Sequence, residues 1–133
     1  TMQEQPVYQD LIGEISGFLQ QQLDCCLEAG ARQLIVDPGI GFGKRFEDNY
    51  EILRRFAEFR QLGYPLLLGA SRKSFIGKLL AVSSDERLTG SLAAALIGIQ
   101  NGAKIVLVHD VAETVQVIRM MDAISTLKAD AGR

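Results

Sequence analysis

Apolar positions along the chain alternate between two rhythms. Leu11, Ile15, Phe18, Leu19, Leu23 and then Cys26 or Leu27 recur at helical spacing, predicting a helix with one buried stripe up to about Ala29, ended by Gly30-Ala31. Leu34-Ile35-Val36 is too short for a helix and uniformly apolar, which predicts a buried strand. From near Glu47, Tyr50, Leu53, Phe56 and Phe59 predict a second amphipathic helix that stops at Leu62-Gly63, and Pro65 to Gly69 repeats the strand pattern. Ser83 and Glu86 stand in the three-residue relation of a capping box, ahead of a third helix carrying Leu88, Leu92, Leu96 and Ile99 and ended by Gly102-Ala103. Ile105 to Val108 predict a third strand. A last helix follows through Val111, Val115, Ile118, Met121 and Ile124, with Asp110 and Glu113 placed to cap it.

The same unit therefore occurs three times: a glycine-terminated helix, a short apolar strand and a polar loop. Such alternation implies an α/β fold of about three parallel strands with four helices, joined by right-handed crossovers, the strands buried on both faces. It fits a piece of a (β/α)8 TIM barrel or of an open doubly wound sheet, and in both the chemistry sits at the C-terminal strand ends.

At 133 residues, 47% apolar and 23% charged, the chain has enough for one core and is read as a single unit over 1–133. A net charge of −2 gives no basic footprint for nucleic acid, and no apolar run approaches a membrane span, so neither is expected as a partner. Cys25-Cys26 lie together inside a helical pattern with no second pair, which excludes a disulfide framework and suits a cytoplasmic location with no signal peptide. A first residue of Thr1 rather than methionine points to a processed, excised or partial polypeptide.

Three loops place polar chemistry on the expected rim. Asp37-Pro38-Gly39-Ile40-Gly41-Phe42-Gly43-Lys44 sets a carboxylate at a strand tip, followed by glycines that let a flat ligand or phosphate approach the main chain; alone, such a turn is as often a mere connection. Ser71-Arg72-Lys73-Ser74 offers two cations and two hydroxyls before a possible helical turn from Phe75, suiting a carboxylate or phosphate rather than only a solvated basic turn. His109, the sole histidine, could bind or orient an anionic group; Asp110 beside it is read as a helix cap rather than as a catalytic carboxylate.

Taken together, these motifs resemble the C-terminal part of the dihydropteroate synthase family. The matching pieces are Met2-Gln3 with Pro6 and Tyr8, Asp37 through Lys44, Gly69 through Gly77, Glu86 through Ala95, and His109-Asp110-Val111 with Glu113-Thr114. Several motifs in the right order over essentially the whole chain select the barrel over the open sheet. The resemblance implies a transferase of folate biosynthesis, the sulfonamide target, which joins 6-hydroxymethyl-7,8-dihydropterin pyrophosphate to p-aminobenzoate and releases pyrophosphate, assisted by Mg²⁺. It implies pterin binding by Asp37, Lys73 and Gly69, p-aminobenzoate binding by Phe42, Ser71 and Ser74, and pyrophosphate binding by His109. A carboxylate accepting the paired N–H donors of an aminopyrimidinone agrees with the Asp37 assignment.

Two departures stand out. The family has Arg-Val-His-Asp at the last strand tip, where this chain reads Leu107-Val108-His109-Asp110, so the cation over the pterin and leaving group is replaced by leucine. The family's first strands, with the Asn that meets Mg²⁺ and pyrophosphate, further pterin ligands and two mobile loops, are not among these residues; the Mg²⁺ ligands are expected in that missing N-terminal part. The chain is thus expected to need that portion for activity, and to form a homodimer or associate with it. The competing class is a truncated, non-catalytic pterin- or anion-binding or assembly module. Another pterin-binding barrel, a methyltetrahydrofolate methyltransferase, leaves Ser71 to Ser74 unexplained.

Overall fold

The Asp10 carboxylate accepts the N–H of Gly13 at 3.1 Å and so caps the first helix, α1 (Leu11–Glu28). In the computed structural model, which describes the backbone of residues 10–130 and side chains to 126, α1 is followed by α2 (Phe46–Arg54), a 3₁₀ segment (Phe56–Leu62), strand β1 (Leu66–Leu68), α3 (Ser74–Leu80), a 3₁₀ turn (Ser84–Glu86), α4 (Leu88–Gln100), strand β2 (Ala103–Val106) and α5 (Val111–Asp130). Met2, Gln3, Pro6 and Tyr8, part of the motif resemblance, lie outside the described residues.

β1 and β2 run parallel, with Leu66 opposite Ala103, Leu67 opposite Ile105 and Leu68 opposite Val106. The first predicted strand is reduced to one parallel bridge, Val36 to Leu66, made by Val36 N–H on the Pro65 carbonyl at 2.9 Å and Leu67 N–H on the Val36 carbonyl at 2.7 Å. The order is thus Val36, β1, β2, and all three C-terminal ends share one edge.

Helices cover one face of this sheet. Val36, Leu66, Leu68, Ala70 and Ala103 enter a core built with Ile52, Phe56, Phe59 and Ile40. The opposite face is open: Ile35 is 57% and Ile105 37% exposed. The expectation of strands buried on both faces is therefore corrected, because the helical residues of the core, from α1, α2, the 3₁₀ segment, α3 and α4, gather with Val36, Leu66 and Leu68 and leave Ile35 and Ile105 uncovered.

Local details depart from the pattern for identifiable reasons. The second predicted helix breaks at Arg55, which takes φ −107° and ψ 18°, and continues as 3₁₀; its three-residue turn stacks Phe56 and Phe59 on one side, edge to face at 5.7 Å. In the predicted capping box the Ser83 hydroxyl donates to the Glu86 carboxylate at 3.0 Å, closing a separate short turn, and α4 begins only at Leu88. Phe18 and Leu27, predicted within the stripe of α1, are exposed; Phe18 borders a hollow of about 380 Å³ between α1 and the Asp37 loop.

Candidate functional site

The Asp37 loop is held from below and from the side. Ile40 plunges into the core, which leaves Phe42 71% exposed above it. Asp37 Oδ1 accepts the Gly39 N–H at 2.8 Å, an Asx turn that fixes the carboxylate beside the loop it begins. Gly41 has φ +89°, a backbone conformation that favours glycine, and a Cβ there would sit 3.1 Å from Lys73 Cδ, so the lysine would have to give way slightly. Its N–H donates at 2.7 Å to the buried Oδ1 of Asn49, whose Nδ2 donates to the Arg45 carbonyl at 3.0 Å. Asp48 in turn accepts the Arg45 N–H at 3.0 Å, so the start of α2 anchors the glycine loop.

Lys73 crosses from the loop after β1 to this one. Its Nζ donates to the Ile40 carbonyl and lies 4.6 Å from the centre of the Phe42 ring. Burial pulls the Lys73 ammonium below the ordinary lysine value, and the Asp37 charge opposes that shift. Lys44, donating to the Gly39 and Phe42 carbonyls at 2.8 and 3.0 Å, is lowered by burial too; Asp37 and Asp48 work against that, and Lys73 adds to it. Asp37, Lys44, Lys73 and Phe42 are thus gathered round one loop.

The second loop contains a left-handed residue, Arg72 at φ 56°, a conformation that costs a non-glycine residue roughly 1 kcal/mol. Three contacts hold it there. Its N–H donates to Ser91 Oγ at 2.8 Å, its carbonyl accepts from Arg87 at 2.8 Å, and its guanidinium grips Asp110 at 2.8 and 3.3 Å. Asp110 stands at the expected cap position just before α5, where its carbonyl accepts the Thr114 N–H at 3.0 Å, while its carboxylate is engaged by Arg72. Ser74 is the exposed first residue of α3.

At the third tip, His109 Nδ1 lies 2.8 Å from Ser71 Oγ, and the His109 N–H donates to the same oxygen at 3.1 Å. Leu107 is 67% exposed and adjoins Gly69, where a Cβ would lie 3.9 Å from Leu107 Cβ. The structure thus joins Lys73 to the Asp37 loop, Ser71 to His109 and Gly69 to Leu107. Asn49, Arg87, Ser91 and Asp110, which position these groups, were not singled out as such from sequence: residues in a helix or just ahead of one, with no unusual spacing, give no signal of it. Among the described residues, no cluster of three or more His, Cys, Asp or Glu is placed to hold a metal ion, and no helix is long and apolar enough to cross a membrane.

Fold and rim together define a parallel α/β protein with its polar chemistry at the carboxyl ends of its strands. The chain belongs to the family of pterin binding enzymes, whose model matches residues 1–109. Dihydropteroate synthase of Escherichia coli K12 is 48% identical over 130 residues, taking in 96% of this chain and 46% of that protein; the Bacillus subtilis enzyme of the same name is 42% identical over 118 residues, 87% of this chain and 41% of that one. Among solved structures, Yersinia pestis dihydropteroate synthase with a sulfonamide drug complex superposes at a TM-score of 0.90 with 42% identity, covering 95% of this chain and 47% of that one. The Thermus thermophilus enzyme in complex with 4-aminobenzoate gives 0.86 at 39% identity, over 90% and 49%. The chain spans just under half the length of these relatives.

Proposed function

We propose that the chain is the C-terminal portion of a dihydropteroate synthase, a segment of a (β/α)8 barrel that works with the strands it lacks. The observation that carries this reading is the contact between two rim loops: Lys73 lies across the glycine loop opened by Asp37, beside the exposed ring of Phe42. A carboxylate, an ammonium and an uncovered aromatic face suit a pterin and an arylamine.

In the reaction, the C–O bond from the pterin methylene to pyrophosphate breaks first, the pterin carries the cation, and the p-aminobenzoate nitrogen attacks and loses a proton. Asp37 accepts the N–H donors of the pterin ring, Lys73 meets its ring nitrogen or carbonyl, and Gly69 gives it room beside the strand. Phe42 packs on the p-aminobenzoate ring, Ser71 lies near that substrate, Ser74 takes its carboxylate, and His109 meets the departing pyrophosphate. Such catalysis rests on positioning and electrostatics. Mg²⁺ assists in this reading, held by ligands from the N-terminal strands. A cytoplasmic location and dimeric assembly complete the reading.

Calorimetry with a pterin analogue, on the chain supplied with the N-terminal half of a relative, tests the assignment. Asp37→Asn and Lys73→Ala each remove a charge-assisted hydrogen bond worth roughly 1.5 to 3 kcal/mol, so affinity should fall by about tenfold or more. Affinity held within about threefold in both variants would reject it.

The second reading, a binding or assembly module without turnover, is favoured by one observation, the exposed leucine at 107 where the family's motif places arginine.

A further inference from the structure

Ser71 spends its hydroxyl on His109 alone among the described residues, and it does so twice. The His109 backbone N–H is a donor with no alternative role, so at 3.1 Å it occupies one lone pair of Oγ. Nδ1 of the same residue stands 2.8 Å from the same oxygen. Two arrangements satisfy that contact. Either the hydroxyl donates to an unprotonated Nδ1, or a protonated Nδ1 donates to the second lone pair and the hydroxyl proton must find another acceptor. No other partner of Ser71 Oγ is present among the described residues, so the first arrangement uses every group.

We propose that Ser71 is a positioning residue that fixes His109 as the neutral tautomer protonated at Nε2. The ring nitrogen on the side away from Ser71 is then a single directed donor. In the opposite tautomer that nitrogen would offer a lone pair, which repels an anion. Ser71 therefore decides whether His109 attracts or opposes a diphosphate oxygen, and it also opposes a flip of the ring. Its own place is set by its neighbour: Arg72 is clamped in a left-handed conformation by Ser91, Arg87 and Asp110, so the loop cannot carry the hydroxyl away from β2 without breaking three contacts. The inference rests on the reading of His109 as the anion-binding residue. Nearness of Ser71 to the arylamine does not compete with it.

The single histidine makes the test direct. The 133-residue chain is labelled with ¹⁵N at histidine, and long-range proton–nitrogen spectra are recorded at about pH 8. The unsubstituted chain should show Nε2 protonated and Nδ1 bare. Ser71→Ala should give a mixture of tautomers, Ser71→Thr should restore the single form, and pyrophosphate affinity by calorimetry should fall roughly three- to tenfold in Ser71→Ala alone. A protonated Nδ1 in the unsubstituted chain, or a tautomer ratio unchanged by Ser71→Ala, overturns the proposal, even if pyrophosphate binding weakens, since a merely structural role would do that. His109→Ala separates the two ideas: pyrophosphate binding unaffected by that change rejects the anion-binding reading while the tautomer result stands.

Discussion

Leu107 leaves β2 with two-thirds of its surface in solvent, beside Gly69 and two residues from His109. Leucine offers a departing diphosphate apolar surface and no donor, whereas a guanidinium offers a planar fork that matches phosphate oxygens. Leu107→Arg should therefore strengthen pyrophosphate binding by roughly tenfold and leave an uncharged pterin nearly unchanged, both read by calorimetry. Equal gains for the two ligands, or none, would show that position 107 does not control the anion. At this scale the sequence is informative wherever a residue's job follows from its place on a strand tip. The rim placement of Asp37, Lys73, Ser71 and His109 is legible for that reason. Asn49, Ser91 and Asp110 are not, because their partners Gly41 and Arg72 lie 8, 19 and 38 residues away and only the folded chain brings them together.

The elements show the same division between local and tertiary causes. Period-3.6 stripes mark where α1, α2, α4 and α5 lie, but not always which face is buried: α4 turns Ser91, Ala94, Ala95 and Gly98 inward while its predicted leucines are half-buried, and α5 leaves Val111, Val115 and Ile124 of its predicted stripe exposed. That the second stripe turns 3₁₀ after Arg55 is invisible in the pattern, because residues three apart share a face in either helix. The first strand is legible as an apolar run, but its pairing shrinks to Val36, as ladder length depends on neighbours and not on composition. α4 sits tightly on the sheet at Gly98: a Cβ there would collide with the side chain of Leu68, itself wholly buried. Gly98→Ala, despite alanine's better helix propensity, should thus destabilise the chain by about 1 to 3 kcal/mol, seen as a lower thermal midpoint. Adding Leu68→Ala should recover part of the loss that the crowding causes; a Gly98→Ala chain as stable as the parent would show that the helix can simply lift.

At the scale of the whole molecule, the sheet has too few strands for its own shape. Among the described residues two strands and one bridge carry the ladder, so the far side of β2 and the outer side of the Val36 segment have no strand partner. The face that Ile35 and Ile105 present is apolar and open, and Val115, Met120 and Ile124 stand exposed along α5. Unpaired edges recruit other strands, and contiguous apolar surface recruits other surfaces; water tolerates each singly and both together poorly. Burying the open face is worth roughly 25 cal/mol for each Å² of apolar surface, a gain that association can collect and an isolated copy cannot. The chain in solution should therefore associate, by pairing its open edge with another copy or with an N-terminal segment like that of its relatives. Light scattering coupled to size exclusion should give a mass above one 14.6 kDa chain, and addition of a relative's N-terminal half should replace self-association by a one-to-one complex. A monodisperse monomer with one cooperative thermal transition would refute this, and would mean that the open face is stable against water as it stands.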